Sequence, residues 1–167
     1  FNNICLPFTS RNFLNKVFNN KDIINIVNKN LINLLNKYNI WFDVKPGEKN
    51  FDFIFVNRAS IDKKTYDLLN YIIKYTKINP NTKSCFIILE QNINNNYYKS
   101  VVNLWNNNKV DNILFIDTHV INIEKNYFKG FNAEELSYFY KSSKIYMHSC
   151  EEERELYMKL YVVVVKF

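Results

Sequence analysis

Residues 51–56, Phe51-Asp52-Phe53-Ile54-Phe55-Val56, form the first of several short apolar runs in this chain of 167 residues. The run is rich in aromatic and β-branched residues, and these are typical of a buried β-strand. Apolar residues then recur at helical spacing over 68–78, with Asp62 as the expected N-cap and Asn79-Pro80 as the stop signal. The segment therefore predicts one β-α unit.

The same alternation continues to the end of the chain. A helix is expected over 97–105, and two capping-box spacings, Asn132 to Glu135 and Ser149 to Glu152, each indicate the start of another helix. Further strands are predicted at 84–89, 110–116, 144–148 and 161–165. Strands that are apolar throughout and separated by helices are typical of a parallel sheet that is covered on both faces. The fold class predicted is therefore α/β, a Rossmann-like three-layer α/β/α sandwich with a mostly parallel five-stranded sheet.

Residues 10–40 have a different pattern, in which apolar side chains form one face and Asn and Lys the other. This spacing predicts one or two amphipathic helices. Pro46-Gly47 is expected to turn the chain into the sheet. We therefore divide the chain into an N-terminal helical segment, residues 1–45, and a Rossmann-like α/β domain, residues 46–167.

The composition limits the kinds of partner and site. The longest aliphatic run near the end, Leu160 to Val165, is much shorter than the roughly 18 residues that span a bilayer. Cys5, Cys85 and Cys150 are far apart and form no C-x-x-C pair, and His119 and His148 lack ligand spacing, so neither a disulfide framework nor a metal site is predicted. We expect a cytoplasmic or other reducing intracellular compartment.

Functional residues in an open α/β sheet are expected just after the strands, because ligands bind at the strands' carboxyl ends. Arg58 follows the first strand, and Lys63 lies five residues later at the expected helix start. An arginine and a lysine placed in this way can converge on a diphosphate, and helix N-terminal amides favour the same anion. Asp117-Thr118-His119 follows the third strand and is in position to touch a base or a sugar.

These residues resemble part of a known family, the nucleotide-sugar-binding C-terminal half of GT-B glycosyltransferases, in particular retaining enzymes with a glycogen-synthase-like donor domain. That half opens with a strand ending in Gly-Arg and a lysine five residues later that is usually followed by Gly. Arg58 and Lys63 match this frame, whereas Asn57 and Lys64 replace the two glycines. The resemblance covers about residues 42–167 and depends on the order of elements more than on rare residues.

The resemblance implies a function and assigns roles to individual residues. Arg58 and Lys63 would hold the diphosphate of a nucleotide-sugar donor, which is the substrate, and no metal or other cofactor is implied. Glu152 would lie near the donor sugar as the first glutamate of the family's E-x7-E motif. Leu160 stands where the second glutamate is expected, and Glu155 would bind the ribose if the intervening segment is shortened. A GT-B site closes between two domains, so activity would require a missing N-terminal acceptor domain or a partner protein.

An alternative from another class is a non-catalytic module that keeps the Rossmann-like fold without the site. Such a structural or interaction module would belong to a larger assembly, including one that contains RNA. The formal net charge of +6 suits an anionic partner. Its docking face would be the lysine-rich surface and the helices of residues 10–40.

Overall fold

The structure, a computed structural model, describes residues 20–89, 93–121 and 130–147, together with the backbone of residues 165 and 166. In this part of the chain, five helices and four parallel strands form an α/β fold. The helices are α1 (Lys21–Lys37), α2 (Thr65–Ile78), α3 (Asn96–Asn108), α4 (Thr118–Ile121) and α5 (Ala133–Lys141). The parallel strands are β1 (Phe51–Arg58), β2 (Ser84–Leu89), β3 (Ile113–Asp117) and β4 (Ser143–Tyr146).

The sheet order is β3-β2-β1-β4. A fifth segment, β5 (Val165–Lys166), pairs antiparallel with β4. The remainder of the fifth strand predicted at 161–165 lies outside the described residues. The chain therefore builds the sheet outward from β1 to β3 and then crosses to the opposite side of β1.

Alternate residues of the strands enter two separate apolar clusters. In β1, Ile54 and Val56 belong to one cluster and Phe55 to the other, as expected when successive side chains point to opposite faces of a sheet. The first cluster contains Leu31 of α1 and Phe139 of α5. The second contains residues of α2 and α3, including Leu69, Ile72 and Val101. This burial on both faces explains why the strands are apolar at nearly every position.

Most helix ends lie where the sequence predicts them. Asn132 and Glu135 form the predicted capping box, in which the Asn132 Oδ1 accepts from the Glu135 N–H at 2.8 Å. Asn79 caps the end of α2 as expected. The prediction of Asp62 as the N-cap of α2 was wrong, because the helix begins two residues later and Lys64 occupies the cap position.

Residues 38–50 connect α1 to β1 and contain the predicted turn at Pro46-Gly47. Gly47 has a φ of +75°, a conformation that L-residues with a side chain rarely adopt. Leu31 of α1 packs in the same cluster as the sheet residue Ile54.

None of the helices in the described ranges is long and apolar enough to cross a bilayer.

Candidate site at the carboxyl end of β1

The strand order reverses at β1, since β2 and β3 lie on one side of it and β4 on the other. In open α/β sheets such a reversal opens a crevice outside the carboxyl ends of the strands, and ligands bind there. β1 ends at Arg58, and its neighbour β4 ends at Tyr146. Arg58 therefore lies at the edge of the sheet where a ligand site is expected.

Arg58 and Lys63 converge on one carboxylate oxygen. The Arg58 Nη2 and the Lys63 Nζ are each 3.9 Å from the Asp62 Oδ2. The Arg58 side chain is 60% exposed and the Lys63 side chain 25% exposed. The two predicted cationic residues thus lie on the same side of the loop, with the negative charge of Asp62 between them.

Asp62 is ionised at neutral pH. The Ser60 hydroxyl is the main cause that lowers the pKa of its carboxyl group, and the nearby Lys63 and Arg58 charges lower it further. Partial burial acts in the opposite direction and does not reverse the shift. The loop after β1 therefore carries its own anion.

Thr65 fixes the ends of this loop. Its buried hydroxyl donates to the Arg58 carbonyl at 2.7 Å, which ties the first residue of α2 to the last residue of β1. Lys64, between Lys63 and Thr65, has a left-handed backbone with φ +46°. Glycine adopts this conformation without steric cost.

Several backbone N–H groups around the start of α2 donate to acceptors within the protein. The Lys63 and Lys64 N–H groups donate within the loop, to the carbonyls of Ser60 and Ile61. The Tyr66 N–H donates to the Tyr97 hydroxyl at 3.0 Å. Three N–H donors around the start of α2 therefore already have acceptors within the protein.

A second polar group lies at the carboxyl end of β3, on the far side of β2 from β1. The Tyr98 hydroxyl donates to the Asp117 carboxylate, and the His119 N–H donates to the other oxygen of that carboxylate at 3.0 Å. Burial, followed by the contact with Asp117, raises the pKa of Tyr98. The Nδ1 of His119 is buried without a partner in the described part of the chain. Asp117 thus serves to hold α3 and α4 against the end of β3.

A groove of about 310 Å³ lies elsewhere, between α1 and the start of α5. The Lys37 Nζ crosses it to the Glu135 Oε1 at 3.0 Å. Its lining is mainly polar: Asn30, Asn33, Leu34, Lys37, Asn132, Glu134, Glu135 and Tyr138. The groove includes neither Arg58 nor Lys63, so it is separate from the site at the end of β1.

Several predicted site residues lie outside the described residues. Glu152 and Glu155 are among them, as are the capping box from Ser149, the strand end at His148 and Cys150. Cys85, the remaining cysteine in the described ranges, is buried as a free thiol, and burial raises its pKa. Within those ranges no three His, Cys, Asp or Glu side chains are grouped in a way that could hold a metal ion.

Sequence reasoning missed the contacts that shape the loop after β1. Asp62 was expected to cap α2, whereas its carboxylate lies between Arg58 and Lys63. The hydrogen bond from the Tyr66 N–H to the Tyr97 hydroxyl joins residues 31 positions apart, and no local sequence pattern predicts it. Thr65, seven residues after the strand end at Arg58, was the one available signal, since Ser and Thr hydroxyls commonly bond to backbone groups at turns.

Comparison with known proteins gives no relative for this chain. No protein-family model matches it, and no match was found among curated proteins or solved structures.

Proposed function

We propose that this chain is a Rossmann-like three-layer domain that binds the diphosphate of a nucleotide, with Arg58 and Lys63 as the anion-binding residues. The observation that carries the proposal is the position of Arg58 at the carboxyl end of β1, where the strand order reverses. The shared distance of 3.9 Å from both cations to one carboxylate oxygen supports a common anion position. The two apolar clusters, each with its own helices, support the three-layer arrangement.

The nucleotide is proposed to be a nucleotide-sugar donor, and the reaction transfer of its sugar to an acceptor. In this role Arg58 and Lys63 would stabilise the charge that develops on the leaving nucleoside diphosphate, without a metal. Glu152 near the sugar and Glu155 at the ribose complete the proposal and are supported by the resemblance to GT-B donor domains alone. The acceptor site would come from an N-terminal domain or a partner protein.

Thermal unfolding in the presence of UDP, GDP or ADP tests the proposal. A ligand at about 100 times its Kd stabilises a protein by about 2.7 kcal/mol, which corresponds to a rise of roughly 5 to 10 °C for a domain of this size. We expect this rise in the unmodified chain for at least one nucleotide. Arg58→Ala should lose most of this rise, because the variant lacks one of the two proposed anion-binding residues. The Arg58 side chain is largely exposed, so its removal should not disturb the core.

Lys74→Ala is the matched control, since it also removes one exposed positive charge, from the body of α2. It should keep the full rise in melting temperature. The proposal would be overturned by the absence of a shift with all three nucleotides, or by equal shifts in the Arg58 and Lys74 variants.

A second candidate function is the interaction module of an RNA-containing assembly, and one observation favours it. Trp41 is 83% exposed and lies four residues after the end of α1, a helix whose exposed residues include Lys21 and Lys29. Exposed aromatic rings bind single-stranded nucleic acid by stacking with its bases, and basic side chains bind its phosphates. Titration with a single-stranded oligoribonucleotide would then give an affinity that falls steeply with salt and weakens in Trp41→Ala. Salt-independent or absent binding would exclude this candidate.

A further inference from the structure

Asp62 occupies the space between the two cations of the proposed anion site. Its Oδ2 is the oxygen that both Arg58 Nη2 and Lys63 Nζ approach. The Asp62 side chain is 55% exposed, so it lies at the surface of the loop and can rotate into solvent. An incoming phosphate that contacts both cations would meet this carboxylate first.

The negative charge of Asp62 is present at neutral pH, because its pKa is lowered by Ser60, Lys63 and Arg58. The carboxylate is not required to begin α2, since Lys64 holds the cap position. It also lies outside the sheet and the two apolar clusters. The contacts of Asp62 with Arg58 and Lys63 are therefore separable from the stability of the fold.

We propose that Asp62 is an internal counter-anion that competes with the ligand for Arg58 and Lys63 and so sets the affinity of the site. This inference rests on the proposed nucleotide-binding function. Binding a phosphate requires the Asp62 carboxylate to leave both cations, and the ligand must also overcome its repulsion. Removal of this charge should therefore strengthen binding, whereas most substitutions in a binding site weaken it.

The size of the effect follows from the weakness of exposed ion pairs. Each such pair contributes little, so displacement of two of them corresponds to a change of about twofold to tenfold in Kd. The gain should shrink as salt is added, because exposed charges are screened within about 10 Å at 0.1 M salt. A gain that is insensitive to salt would argue against an electrostatic origin.

The experiment is calorimetric titration of the full chain with UDP and with inorganic pyrophosphate. The variants are Asp62→Asn, which keeps the shape of the side chain, and Asp67→Asn as the matched control. Asp67 is exposed in the first turn of α2, and within the described part of the chain it forms no ion pair. Both substitutions make the net charge of the chain one unit more positive. A difference between the Kd values of the two variants therefore reports the effect of the position of the removed charge.

The outcomes separate this inference from the function on which it rests. Binding by Asp62→Asn that is twofold to tenfold tighter than by the unmodified chain and by Asp67→Asn supports the competition. Equal binding by the two variants, in a chain whose binding depends on Arg58, overturns the competition and leaves the nucleotide site intact. Failure of the unmodified chain and of Asp62→Asn to bind either ligand overturns both proposals.

Discussion

Asn28 and Asn50 join three parts of the chain through buried amide groups. The Asn28 Nδ2 donates to the carbonyls of Lys45 and Glu48, at 2.9 Å each, and its Oδ1 accepts from the Ser142 hydroxyl at 3.2 Å. The Asn50 Nδ2 donates to the same two carbonyls. These contacts hold α1, the segment before β1 and the start of β4 together at the amino end of the sheet. In an Asn-rich chain, position and burial distinguish these residues from the solvated asparagines.

We predict that Asn28→Ala lowers the free energy of unfolding by about 2 to 3 kcal/mol. Asn28 is 1% exposed, so the substitution removes three hydrogen bonds from a site that water does not reach easily. Urea denaturation monitored by circular dichroism measures the change. Asn36→Ala, at an exposed position on the same helix, is the control and should change stability by less than about 0.5 kcal/mol. Similar effects of the two substitutions would contradict the assigned network.

At the scale of elements, α1 packs against the sheet with its leucines. Leu31 is fully buried, and Leu34 and Leu35 are nearly so, in the cluster that also contains Ile54 and Phe139. Ile26 and Ile32 on the same helix remain partly exposed. The sequence places a helix here but leaves open whether it packs on the sheet or stands apart, since periodicity identifies an apolar face and not its partner.

We predict that Leu31→Ala lowers the free energy of unfolding by about 2 to 5 kcal/mol, because it leaves a cavity under the sheet. Unfolding should remain a single transition when followed by far-ultraviolet circular dichroism and, with Cys5 and Cys150 replaced by serine, by the reaction of Cys85 with a thiol reagent. Ile32→Ala, at a residue that is 37% exposed, should cost much less. Separate transitions for helix loss and for Cys85 exposure would mean that α1 folds independently of the sheet.

The sequence predicts strands and helix ends well where the signal is local. β2 matches the apolar run 84–89 residue for residue, and the capping box at Asn132 and Glu135 forms as its spacing indicates. β3 begins at Ile113, later than predicted, because Val110 lies in the turn before it. The start of α2 was predicted wrongly, since Thr65 and the left-handed Lys64 determine it through backbone contacts that the sequence does not reveal.

The same difference between local and distant information applies to the candidate site. The positions of Arg58 and Lys63 near a strand end could be predicted, because a strand and the following helix are contiguous in sequence. The place of β4 beside β1 could not, since a helical crossover can return the next strand to either side of a parallel sheet. The reversal that marks the crevice is therefore a property of the tertiary structure.

At the scale of the whole molecule, five titratable protons are held by buried or partly buried groups in or against the two apolar clusters. Burial is the first cause that raises the pKa of Cys85, Tyr97, Tyr98, Tyr140 and Tyr146. In each case the folded protein favours the neutral form of the side chain. The fold therefore retains these protons at pH values where an unfolded chain releases them.

We predict that the protein loses stability as the pH rises above about 9. The unfolded chain begins to release protons near the ordinary pKa of a thiol, 9.0, and then near that of a phenol, 10.0, while the folded chain keeps them. The unfolded state then binds fewer protons than the native state, so the free energy of unfolding falls with pH. Each retained proton contributes a slope of up to about 1.4 kcal/mol per pH unit. Urea denaturation midpoints at pH 7.5, 9, 10 and 11 measure this loss of stability.

Tyr98→Phe tests the contribution of one of these groups alone. It removes the phenol hydroxyl that donates to Asp117 at the end of β3. The variant should be less stable than the unmodified chain at pH 7.5, since Asp117 loses a hydrogen-bond donor. The difference should narrow above pH 10, because the variant no longer has this proton to lose on unfolding. Tyr71→Phe, at a residue that is 59% exposed, is the control for loss of a phenol and should change the free energy of unfolding at pH 7.5 by less than about 0.5 kcal/mol. A gap between Tyr98→Phe and the unmodified chain that stays constant to pH 11 would show that Tyr98 titrates alike in the folded and unfolded states.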